Sequence, residues 1–122
     1  MKSRIATVLV VLVGLLQLSL PALASSTQYT NPITYGHATY NTNDNKFTLY
    51  DDECDGNYNY VNYAFNNTGA IPGTYSTHQA GVGCGSSEWW TVNPTASLVV
   101  YRVCVYNTFG PDHCGSWGST DA

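Results

Sequence analysis

From residue 25 onward, apolar and polar positions tend to alternate with a period of two. No stretch of ten or more residues there carries the 3.6-residue repeat of an amphipathic helix. His37 to Tyr40 and Lys46 to Tyr50 flank the turn-rich Asn41-Thr42-Asn43-Asp44-Asn45, which predicts a β-hairpin. Phe47 and Leu49 alternate with Lys46, Thr48 and Tyr50, the pattern of a strand with one buried face. Between Asn57 and Phe65, Val61, Tyr63 and Phe65 share one face while Tyr58, Tyr60 and Asn62 share the other. Residues 51 to 56 then form the corner between two strands.

Asn66 to Gly85 is rich in Gly, Thr and Asn and reads as loops with short strands at most. Ser86 to Asn93 contains Trp89-Trp90, and Pro94 ends it. In Leu98 to Tyr106, LVVYRVCVY, both faces are mostly apolar, which suits a central strand covered on both sides. Phe109 to Asp112 turns the chain, and Cys114 pins the tail back onto that strand. Six or seven short strands in one domain over residues 25–122 predict an all-β fold. The expected form is a small antiparallel β-sandwich, or a partly open barrel, with two disulfides.

The ends and the cysteines add a compartment. Residues 1–24 read as a secretory signal peptide: Lys2 and Arg4, an apolar run from Ile5 to Leu20, then Pro21-Ala22-Leu23-Ala24 with its small-x-small ending. Residues 25–122 hold no segment long and apolar enough to span a membrane. The expectation is a secreted, extracellular bacterial protein, cleaved near Ala24. Cys54, Cys84, Cys104 and Cys114 then meet an oxidising environment. Of the three pairings four cysteines allow, Cys54–Cys84 with Cys104–Cys114 keeps both closed loops short and is favoured. Their spacing lacks the close C-x-x-C pairs of zinc modules. In residues 25–122 only Lys46 and Arg102 oppose eight acidic side chains, leaving six net negative charges. Such a surface repels phosphate backbones and anionic membranes, so no nucleic-acid partner is expected.

Three groups of residues invite a chemical reading. In DDECDGN, Asp51, Glu53, Asp55 and Gly56 stand at positions 1, 3, 5 and 6 of a calcium-loop spacing. Asn62 occupies the place of the bidentate Glu, and the flanks are strands, so the first reading is an acidic turn, with calcium second. Glu88, Arg102 and His113 could act as base, phosphate-side cation and acid of a small ribonuclease-like hydrolase, with His37 or His78 as a second imidazole. Serine-hydrolase, P-loop, dinucleotide and H-E-x-x-H patterns are lacking. The aromatic content is higher than the charge: ten Tyr, three Trp and three Phe. Trp89 and Trp90, as strand neighbours, point to opposite sides, and Tyr58 and Tyr60 share a face. These four are the candidate binding residues for a carbohydrate or an extracellular protein. Asn66-Asn67-Thr68 matches a glycosylation sequon and reads, in a bacterial product, as a polar loop.

The run KFTLYDDECDGNYNYVNY, then VGCG, VVYRVCVYN and HCGSW, resembles small exported proteins of actinomycetes over about residues 35–117. That resemblance implies the strand–corner–strand layout, export and a late cysteine pair, and it implies no activity. The functional expectation is a non-catalytic extracellular binding or interaction protein. The alternatives are the ribonuclease-like hydrolase and a secreted inhibitor or antimicrobial protein.

Overall fold

The computed structural model describes residues 25–81 and 83–122; the predicted signal segment over 1–24 lies outside the described residues. Nine strands follow in chain order: β1 (Ser25–Tyr29), β2 (Gly36–Asn41), β3 (Lys46–Asp51), β4 (Asn59–Asn66), β5 (Ser76–Gln79), β6 (Ser87–Thr91), β7 (Leu98–Val105), β8 (His113–Cys114) and β9 (Gly118–Asp121). One sheet has the order β1-β2-β3-β6. The other has the order β5-β4-β7-β8, with β9 also paired to β7. Every pairing is antiparallel, and the described residues contain no helix. The two sheets pack face to face, so the all-β sandwich read from the alternation is the fold.

Alternation decides what each strand buries. On β3, Phe47 and Leu49 are fully buried while Lys46, Thr48 and Tyr50 turn outward. Opposite them, Val99, Tyr101 and Val103 of β7 and Val61 of β4 complete the core, with Ala38 and Tyr40 from β2. Phe47 is its hub: the rings of Tyr40, Tyr63, Trp90 and Tyr101 lie 4.7 to 5.1 Å from its own, centroid to centroid. Tyr101 also ties the sheets together, because its hydroxyl donates to the Ser26 carbonyl of β1 at 2.8 Å. Burial pushes that phenol up to about 12.

β7 is the central strand the sequence predicted, flanked by β4 on one edge and by β8 and β9 on the other. Both disulfides are the expected ones. Cys54–Cys84 staples the corner after β3 to the loop before β6, and Cys104–Cys114 crosses between register partners of β7 and β8. Three strands exceed the sequence reading: β1 (SSTQY), β8 (HC) and β9 (GSTD). They are short and mostly polar, so they carry no apolar alternation, and pairing with β2 and β7 is what extends them. Among the described residues no helix is long and apolar enough to cross a membrane.

Candidate functional site

The strand alternation that fills the core leaves a second set of side chains on the outer face of the β5-β4-β7 sheet. Register aligns Thr77, Asn62 and Arg102 in one row across it, and Gln79, Tyr60 and Cys104 in the next. Asn62 is 3% exposed and fully engaged. Its Oδ1 accepts the Arg102 Nε hydrogen at 2.9 Å, and its Nδ2 donates to Thr77 Oγ1 at 2.9 Å. The Arg102 guanidinium lies 4.8 Å from the Trp117 ring and 5.7 Å from the Tyr75 ring, within cation–π range. Trp117 precedes β9 and Tyr75 precedes β5. Rings from opposite edges of the sheet thus close to within 5.4 Å of each other beside the cation. Among the described residues the close contacts between basic and acidic side chains are Lys46–Asp44, His37–Asp52 and His78–Glu88, and Arg102 takes part in none of them.

The same face continues through Tyr60, whose hydroxyl donates to Asp112 at 2.5 Å. Burial, then the bond to Asp112, pushes the Tyr60 phenol well above its ordinary value. The bond from Tyr60 and one from the Asn107 amide hold the Asp112 carboxyl below its usual range. Tyr58 lies 6.2 Å from Tyr60 and stacks on Tyr106 at 4.9 Å. Beside this face, between Thr74–Ser76 and Thr91–Thr95, opens a cleft of about 710 Å³ lined by the inward rings of Tyr63 and Phe65.

The two adjacent tryptophans separate as strand geometry requires. Trp89 is 65% exposed on the outer face of the other sheet, with Lys46 Nζ 5.6 Å from its ring. Trp90 turns inward, stacking on Phe47 at 5.1 Å and on His78 at 3.8 Å. Of the residues read as a hydrolytic set, each has neighbours of its own. Glu88 Oε2 meets His78 Nε2 and the Gly81 amide, both at 3.2 Å. Arg102 is held by Asn62, and His113 stacks on Tyr35 at 5.8 Å. No hydrogen bond or ion pair joins Glu88, Arg102 and His113 to one another among the described residues. His37 pairs with Asp52 at 2.5 Å.

At the acidic corner, Asp51 is 5% exposed and accepts the Glu53 amide at 3.4 Å. Asp55 spends its Oδ1 on the Asn57 amide at 2.9 Å, with Gly56 at φ 75°, the geometry of a tight turn. Glu53 Oε2 is buried without a partner among the described residues. Among the described residues no three His, Cys, Asp or Glu side chains are grouped to hold a metal ion.

Burial, and after it repulsion from Asp55, Asp52 and Glu53, raises the Asp51 carboxyl above its ordinary value. A raised value means the folded protein prefers the protonated acid. The stability it adds is therefore present below about pH 4 and lost as pH rises through the folded value. Asp51→Asn, which keeps the acceptor for Glu53, should melt at a higher temperature than the parent at pH 7 and at the same temperature at pH 3. Thermal unfolding at both values checks this. An Asn variant that melts lower at pH 7, more so with added calcium, would instead favour the calcium loop.

By residue type alone Arg102 suggests catalysis and Tyr60 binding, and no local pattern marks Tyr75, Thr77 or Trp117. Only Arg102, the one charged residue in an otherwise apolar strand, hints at the row it forms with Asn62. Comparison of the chain with protein-family models, with curated proteins and with solved structures finds no match.

Proposed function

We propose that this is a non-catalytic extracellular binding protein whose partner, a carbohydrate or another protein, docks on the outer face of the β5-β4-β7 sheet. One observation carries the reading: Arg102 stands beside the paired rings of Trp117 and Tyr75 on a sheet face, joined to no acidic side chain among the described residues. Aromatic rings supply contact area with little rotamer freedom to lose, and an arginine among them is a recurrent anchor of binding hot spots. The extracellular part of the proposal rests on the predicted signal over 1–24, and the two disulfides are compatible with it. Trp89, exposed on the outer face of the other sheet, is the natural internal control.

The test is a glycan array and a panel of purified extracellular proteins, followed by titration of whatever binds. The double variant Tyr75→Ala/Trp117→Ala should lose about tenfold or more in affinity, the scale of one hot-spot truncation. Trp89→Ala should stay within about twofold of the parent. Full binding by a folded double variant would defeat the reading.

A further inference from the structure

We propose that the Arg102 cradle takes the carboxylate of an acidic sugar. The inference rests on the binding-face reading above and names its ligand class. A guanidinium offers five N–H donors in a rigid plane. Here one of them, on Nε, is fixed by Asn62, a buried amide that Thr77 holds in turn. The plane is thereby oriented before any ligand arrives, and the Nη1 and Nη2 donors meet no acceptor among the described residues. Two parallel N–H donors match the two oxygens of a carboxylate.

Charge argues for one carboxylate over a phosphate. The single positive charge of Arg102 faces a protein with six net negative charges in residues 25–122 and has the Asp112–Tyr60 pair nearby on the same face. A singly charged ligand neutralises the cation, whereas a phosphate dianion leaves excess negative charge in a negative field. The surroundings argue for a sugar as its carrier. Trp117 and the 46%-exposed Tyr75 offer apolar surface for the C–H groups of a pyranose ring. The hydroxyls of Thr77 and Tyr60 border the row where ring hydroxyls would lie. Such a ligand includes a uronic acid within a polysaccharide or a sialic acid ending a glycan chain; the recognised chemistry is the same.

The experiment titrates the protein at low salt with trigalacturonate and with sialyllactose, each beside its neutral counterpart, galactotriose and lactose. Calorimetry and ligand-observed saturation-transfer NMR supply the readouts. Both acidic sugars should bind at about millimolar strength or better, with the neutral ones about tenfold weaker or undetected. Binding of only one acidic sugar assigns the source and supports the class. Arg102→Gln should reduce acidic sugars to the neutral level, and Arg102→Lys should restore only part, because an ammonium lacks the fork. Equal affinity for acidic and neutral sugars overturns the proposal using the parent protein alone, whatever the variants do. Neutral binding that depends on Trp117 and not on Arg102 overturns the acid preference while leaving the binding face intact. No binding of any sugar also overturns the proposal.

Discussion

Phe47→Ala should cost about 3–5 kcal/mol, the range for removing a fully buried aromatic side chain. Phe47 is fully buried, and its ring touches those of Tyr40, Tyr63, Trp90 and Tyr101, which come from both sheets. Truncation would therefore open a void at the seam where the sheets meet. The tyrosines there cannot swing in freely, because Tyr101 is anchored to Ser26 of β1. A small domain has about 5–15 kcal/mol of net stability, so the variant should unfold at a much lower urea concentration or be unfolded at 37 °C. Phe47→Leu, which keeps most of the volume, should cost much less. A Phe47→Ala midpoint close to the parent's would mean that the core does not hinge on this ring.

Removing the staples should do comparable damage. The Cys54–Cys84 bridge closes 30 residues and Cys104–Cys114 closes 10. The loop-closure relation assigns about 3.6 and about 2.7 kcal/mol to loops of these lengths. Cys54→Ala/Cys84→Ala should therefore destabilise more than Cys104→Ala/Cys114→Ala. The fully reduced chain should lose roughly the sum, comparable with the whole net stability of a small domain. The second bridge acts locally as well: β8 is two residues long, and the disulfide joins one of its two register pairs to β7. Urea unfolding of oxidised, singly bridged and reduced protein gives the three values. Reduced protein that keeps nearly the oxidised midpoint, or four free thiols in folded material, would show that the core suffices without the bridges.

Much of this architecture is legible in particular residues. Lys46 to Tyr50 alternates clearly enough to assign its buried face, and the burial on β3 follows it; Leu98 to Tyr106 is apolar on both faces, and β7 is buried on both except at Leu98 and Arg102. Trp89 and Trp90 had to diverge because strand neighbours point to opposite sides, and they do. The even number of cysteines and their spacing made the sequential bridges the economical pairing, which is the one present. The site was less legible. Arg102 stood out as a lone cation in an apolar strand, but the reading that grouped it with Glu88 and His113 drew on residue types alone.

The sequence by itself determined the fold class, the buried face of the long strands and the cysteines available for stapling, because each depends on near neighbours in the chain or on composition. Tertiary structure alone decided that the polar segments Ser25–Tyr29 and Gly118–Asp121 are strands, since their order comes from pairing with β2 and β7. It also decided the surroundings of Arg102. Asn62 lies 40 residues away, and Tyr75 and Trp117 arrive from opposite edges of a sheet. Backbone pairing between distant strands sets that assembly, and no local pattern of side chains encodes it.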